Sequence, residues 1–281
     1  MLEGARTAHF RLIIVDGKAY VEKYKKSVPS RDLFTVWGIA QLLRLYPGRL
    51  PDLEMMFDCN DQPVIKSRDY KGPNAGPPPL FRYCSNRWSL DIVFPDWPET
   101  NIKPWKHLSK GIKEGNKRVK WEDRVPLAYW KGTPKMAASR RDLMNCNISD
   151  RHNWGALLYT QAKAMGEASS HYVHEDLKMD YVYDYMFHLL NEYARLLKFK
   201  STIPPKAVEL CPEVMACAAA GVWKKYMLES LEEAPSDTIP CTLPPPYDPQ
   251  ALKAFLDGKF TKTKQVESWE NEYWDKQNVK Q

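Results

Sequence analysis

Asp61 stands in a polar turn, Cys59-Asn60-Asp61-Gln62-Pro63, directly after the apolar run Leu53-Glu54-Met55-Met56-Phe57-Asp58. Loops at strand ends are where α/β enzymes commonly carry their catalytic groups. A carboxylate placed there can take the proton from an acceptor hydroxyl as a general base. Beside Asn60 and Pro63 the same residue also suits an Asx-type turn, in which the side chain bonds its own backbone. A second suggestive stretch reads Lys131-Gly132-Thr133, followed by Arg140-Arg141-Asp142. It combines a strand end, a glycine turn, a hydroxyl and two guanidiniums early in a helix. Helix-start N–H groups and arginine forks together suit a diphosphate. The glycines of a P-loop or dinucleotide fingerprint are absent. An ordinary basic helix start has the same composition, so spacing leaves both readings open.

Other chemistries find less support. The aromatic stretch from Trp88 to Trp97, with Trp105, could stack on a sugar ring or a peptide, although buried packing is the commoner fate of such residues. His171, His174 and His188 lack the i, i+4 pairing around a glutamate that a helical metal site needs. Cys59, Cys84, Cys146, Cys211, Cys217 and Cys241 fit no zinc spacing. No metal and no cofactor is expected. An even cysteine count suits an oxidising compartment and equally suits buried cytosolic thiols. No nucleophile elbow is present, which disfavours a hydrolase.

The elements that must position these residues alternate in type along the first half. Arg11–Val15 is a β-branched run, Asp16-Gly17 a hairpin turn, and Lys18–Val21 the returning strand. Ser30 should cap a helix to about Tyr46, with Leu33, Val36, Trp37, Ala40 and Leu43 on its apolar face and Pro47-Gly48 as its stop. After the strand ending at Asp58, a Pro/Gly-rich loop from Lys71 to Pro79 leads to short strands at Phe81–Cys84 and Leu90–Phe94. A basic helix from Trp105 to about Arg118, a strand at Leu127–Lys131 and a helix over Ala137–Asn145 complete an α/β pattern. From Ala156 onward the reading is helical. Asp180–Phe199 carries Val182, Met186, Leu189, Leu190, Tyr193, Leu196 and Leu197 at helical spacing. Helices follow near Gly221–Glu233, Asp248–Leu256 and Lys264–Lys276, and no strand is expected after Lys131.

Of 281 residues 43% are hydrophobic, enough for one large or two small cores. Lys and Arg total 41 against 35 Asp and Glu, a net charge of +6, and the two signs are interleaved. That mixture reads as a solvated surface, and the lack of a one-sided basic stripe argues against nucleic-acid binding. Mean hydropathy of −0.56 and the absence of a long apolar run exclude a transmembrane helix. Met1–His9 has no signal-peptide core, so the chain as written would stay cytosolic. Against this, Asn147-Ile148-Ser149 is an N-glycosylation sequon.

Five stretches together resemble the Rumi or capsule-associated glycosyltransferase family, in its plant branch. They are Phe10–Lys26 (FRLIIVDGKAYVEKYKK), Pro47–Pro63 (PGRLPDLEMMFDCNDQP), Pro77–Trp97 (PPPLFRYCSNRWSLDIVFPDW), Ala128–Cys146 (AYWKGTPKMAASRRDLMNC) and Glu175–Phe199 (EDLKMDYVYDYMFHLLNEYARLLKF). The resemblance implies two Rossmann-like lobes in the glycosyltransferase-B arrangement and transfer of glucose or xylose from UDP-glucose or UDP-xylose. The implied acceptor is a serine of a secreted protein or a glycan hydroxyl, and the implied compartment the endoplasmic reticulum or Golgi lumen. Asp61 resembles the family's catalytic aspartate, Thr133 falls beside Gly132 near the nucleotide, and Arg141 resembles the arginine that neutralises the diphosphate. Arginine in that role requires no metal.

The resemblance also implies departures. Gln161 leads almost directly into Ala162–Gly166, a join that omits on the order of a hundred residues, a small domain's worth. The chain therefore reads as residues 1–155, a first lobe, and 156–281, a helical remainder with most of the second lobe missing. The start lies in mid-lobe without the family's membrane anchor. Cys59 and Cys84 are expected to pair across the loop after the first-lobe strand, and Cys146 to lack its partner. Donor binding, which needs both walls of the cleft, is expected to suffer.

Overall fold

The computed structural model describes residues 6–27, 30–72, 75–96, 105–124 and 166–278. Gly132, Thr133, Arg141, Cys146, the sequon, the strand expected at Leu127–Lys131, the helix expected at Ala137–Asn145 and the Gln161–Ala162 join lie outside the described residues. The chain divides into two compact units, Met1–Pro240 and Cys241–Gln281.

The first unit is built on a six-stranded mixed sheet with helices. Strands β1 (Phe10–Val15) and β2 (Lys18–Lys23) form the expected hairpin, in register Val15↔Lys18 to Phe10↔Lys23. Its two turn residues, Asp16 at φ 50° and Gly17 at φ 72°, both take the left-handed region that a tight two-residue hairpin requires. Strand β3 (Leu53–Phe57) lies antiparallel on the other side of β1. Strands β4 (Leu80–Arg82) and β5 (Ile92–Val93) then run parallel to it, pairing Phe57↔Phe81 and Phe81↔Ile92. Strand β6 (Val208–Glu209) closes the other edge against β2. That short strand corrects the expectation of none after Lys131. Two residues flanked by Ala207 and Leu210 leave no periodicity to read, and the pairing exists because β2 offers an open edge.

Alternation along the strands separates the two faces of the sheet. Phe10, Leu12 and Ile14 of β1, Ala19 and Val21 of β2, Leu53, Met55 and Phe57 of β3, and Phe81 of β4 all enter the main core. Helix α1 (Arg31–Leu45) and helix α3 (Met179–Leu196) supply much of the rest of that core. The second helix packs against the sheet and the end of α1. Tyr46 Oη donates to Asp184 Oδ1 at 2.7 Å, Tyr193 Oη donates to the Glu54 carbonyl at 2.9 Å, and the Tyr193 ring meets Phe81 edge-on at 4.9 Å.

Helix α1 departs from the amphipathic reading, because every residue from Phe34 to Leu42 is buried. Its outer side is covered by α4 (Pro212–Ala218), α5 (Gly221–Glu229) and the chain after them. Phe34 packs edge-on against Trp223 and Tyr226, and Trp37 Nε1 donates to Ser230 Oγ at 3.0 Å. The buried Gln41 amide oxygen accepts the Glu232 N–H at 2.8 Å, so the polar side chain is used to hold the covering segment. Ser30 occupies the position before the helix, and its carbonyl accepts the Phe34 N–H at 3.2 Å, but its side chain makes no capping hydrogen bond. The basic helix expected from Trp105 is α2 (Trp105–Arg118).

The second unit is one 30-residue helix, α6 (Pro249–Asn278), where two shorter helices were expected. Asp248 Oδ1 accepts the N–H groups of Gln250 and Ala251, both at 2.9 Å, and Pro249 fits the first turn. Gly258 costs a helix only about 1 kcal/mol and does not break it. No helix among the described residues is long and apolar enough to cross a membrane.

Candidate active site

Three parallel strands, β3, β4 and β5, end side by side, and the loops leaving their carboxyl ends carry the polar side chains of interest. This is the edge at which open α/β sheets place ligands. A buried ion cluster first fixes the loops. Arg82, at the end of β4, is 1% exposed. Its Nη1 pairs with Asp58 Oδ2 at 2.8 Å, its Nη2 donates to the Asn60 carbonyl at 2.7 Å, and its Nε faces Asp91 Oδ1 at 3.9 Å. Asp91 accepts the N–H groups of Val64 and Ile65, both at 3.1 Å, and so anchors the far end of the same loop. His9 Nδ1 accepts the Cys59 N–H at 3.2 Å and lies 3.3 Å from Asp58 Oδ1. The 58–65 loop is thus tied at both ends by one buried arginine and two aspartates.

Asp61 projects from the middle of that loop with its side chain 73% exposed. Arg31, the first residue of α1, meets it: Nη1 lies 2.5 Å from Asp61 Oδ1 and also donates to the Cys59 carbonyl at 3.1 Å. The same guanidinium forks onto Asp96, just past β5, through Nε and Nη2, both at 3.1 Å. Its carbon sits 5.2 Å from the centre of the Tyr83 ring, which follows β4. Burial works against the Arg31 charge, but the hydrogen bonds and charges of Asp61 and Asp96 outweigh it and raise its pKa. Arg31 therefore stays cationic and joins the helix start to the loops after all three strands. Asp61 is held through one oxygen and presents its carboxylate to solvent.

Sequence reasoning singled out Asp61 as a candidate and did not single out Arg31 or Asp96, which the structure groups with it. A signal for Arg31 was available, since a cation in the first turn of a helix opposes the macrodipole and needs a compensating anion. Trp88, from the aromatic stretch, is 63% exposed and lies under Arg87 at 4.1 Å, so this ring is a surface group. His174 is buried, with Nδ1 2.8 Å from the Ser170 carbonyl.

The expected disulfide is corrected. Cys59 and Cys84 are both free thiols. Extending the Phe57↔Phe81 register places Cys59 opposite Tyr83, and the Cys59 sulfur lies 3.8 Å from Tyr83 Oη. Cys84, one residue further, turns the other way and donates its thiol to the Asp61 carbonyl. Tyr83 Oη is also hydrogen-bonded to Thr35 Oγ1 at 2.6 Å, which fixes the ring beside Cys59.

Comparison with known sequences places this geometry in context. Residues 1–163 and 159–270 match the sequence profile of glycosyl transferase family 90. The chain is 25% identical over 174 residues to an O-glucosyltransferase rumi homolog of Aedes aegypti, covering 55% of this chain and 41% of that relative. It is 23% identical over 123 residues to Protein O-glucosyltransferase 2 of Danio rerio, covering 42% of this chain and 23% of that relative. The matched stretches thus span less than half the length of either relative.

Proposed function

Because the chain belongs to glycosyl transferase family 90, we propose that its chemistry is transfer of glucose or xylose from UDP-glucose or UDP-xylose to a serine hydroxyl of a protein, or to a glycan hydroxyl. The observation that carries this reading is the exposed Asp61 carboxylate at the carboxyl edge of the parallel strands, held by Arg31. Asp61 takes the acceptor hydroxyl proton as the oxygen attacks the sugar carbon. Arg31 acts through Asp61, fixing the orientation of the base, while the fork to Asp96 fixes Arg31 itself. Gly132, Thr133 and Arg141 would cradle the nucleotide, with Arg141 offsetting charge on the departing diphosphate and no metal required. The donor would lie in a cleft of glycosyltransferase-B type, of which the mixed sheet is one Rossmann-like wall. The working compartment would be the lumen of the endoplasmic reticulum or Golgi.

A second reading, a binding module without transfer, is favoured by one observation. The two profile matches meet at 159–163, the stretch that contains Gln161 and Ala162. That join supports an account in which part of the donor-binding wall is absent. Calorimetric titration with UDP-glucose and UDP-xylose, followed by transfer assays on a serine-bearing acceptor, separates the readings. Micromolar donor binding with transfer abolished by Asp61→Asn supports the transferase. Acceptor binding with no donor affinity supports the binding module.

A further inference from the structure

Charge is interleaved over most of the chain, but α2 is a local exception. The helix carries Lys106, Lys110, Lys113, Lys117 and Arg118 against a single acid, Glu114. At 3.6 residues per turn, positions 110, 113 and 117 fall within about 60° of arc and spread over about 10 Å, and position 106 continues the same line. Lys110, Lys113 and Lys117 are exposed. Lys113 reaches Glu175 only at 3.7 Å, and Glu175 is held more closely by Lys178 at 2.8 Å, so the lysine face keeps its positive charge. Leu108 and Ile112 lie across the helix from it, and Asn116, off the lysine face, is bonded by Arg124 at 2.7 Å. This one-sided stripe corrects, at the scale of one helix, the sequence reading that no such stripe exists.

We propose that the lysine face of α2 captures an extended acidic stretch of a protein acceptor. In an extended peptide, alternate side chains point the same way about 6–7 Å apart. That spacing matches successive lysines along the helix, which rise about 4.5 and 6 Å. Ammonium groups on flexible stems suit dispersed carboxylates, whereas planar recognition of phosphates favours arginine forks. An anionic lipid surface is the competing occupant, since it would take Leu108 and Ile112 together with the lysines, and the vesicle arm of the test below separates the two. The helix begins nine residues after Asp96, so in sequence the stripe directly follows a loop of the candidate active site.

The inference rests on the transferase reading for the identity of its partner, but it is measured as binding without donor. A labelled peptide alternating Glu and Ser, and its Gln counterpart, are titrated by fluorescence anisotropy into the full chain at low and physiological salt. The Glu peptide should bind, more weakly as salt rises, and the Gln peptide should not. Lys110→Gln, Lys113→Gln and Lys117→Gln combined should weaken binding about tenfold, as three screened ion pairs would. The triple Lys→Arg variant should bind like the parent. Undiminished binding by the triple Gln variant overturns the proposal, as does loss in the Arg variant or tighter binding of an oligonucleotide or phosphatidylserine vesicles. Peptide binding in a chain that shows no sugar transfer leaves the lysine face standing while the transferase reading falls. Transfer without peptide binding does the reverse.

Discussion

Two ion clusters lie within three residues of each other and do opposite things. Asp58 is 2% exposed and shares Arg82 with Asp91, so all of its charge is spent on holding the loop. Asp61 is 73% exposed and shares Arg31 with Asp96, so its carboxylate is aimed and left open. A buried cation between two aspartates is an architectural device, since removing one partner strands the others in a low-dielectric interior. The exposed version can lose a member cheaply because water replaces it. Rigidity where the loop begins and the open carboxylate at its crest are therefore separable by mutation.

The largest separation should come from Arg82→Met, which leaves Asp58 and Asp91 buried without a cation. It should cost about 3–5 kcal/mol in urea unfolding. A cost below about 1 kcal/mol would place the two clusters in one class. Next, Arg31→Gln should cost roughly 1 kcal/mol. It should also speed amide hydrogen exchange over 59–64 while leaving the strands protected, because Arg31 ties the loop to α1. Asp61→Asn should change stability by less than about 0.5 kcal/mol while removing any sugar transfer. An unfolding midpoint that drops as far as for Arg82→Met would show that Asp61 is structural.

Titration sharpens the same contrast. Burial raises the Tyr83 phenol well above its ordinary value near 10. The folded state thus holds a proton that the unfolded chain releases. That contribution is complete below the ordinary value and is lost as pH rises toward the folded one. Tyr83→Phe should accordingly lessen the fall in stability above about pH 10, read from urea midpoints across alkaline pH. Burial also pushes both nearby thiols up. Cys84, partly exposed, should react with a thiol reagent in the native state, and Cys59, 1% exposed, only on unfolding. Both should be titratable as thiols in denaturant without reductant. A disulfide found by mass spectrometry would contradict the register argument.

Much of the sheet and one half of the site were written in local pattern. Asp16-Gly17 between a β-branched run and the returning strand Lys18–Val21 specifies a hairpin because left-handed φ at both turn positions is needed there and is readily adopted by such residues. The run Leu53–Phe57 followed by a polar turn placed Asp61 at a strand end before any contact was known. The spacing of Val182, Met186, Leu189, Leu190 and Tyr193 specified a helix that must find an apolar surface. Tertiary structure alone decided what these elements meet. Arg31 and Asp96 are 65 positions apart, and only the packing of α1 beside the aligned ends of β3, β4 and β5 brings Asp61 and Asp96 to the same guanidinium. The same alignment keeps Cys59 from Cys84, since strand register, which depends on partners distant in sequence, determines which side each sulfur faces.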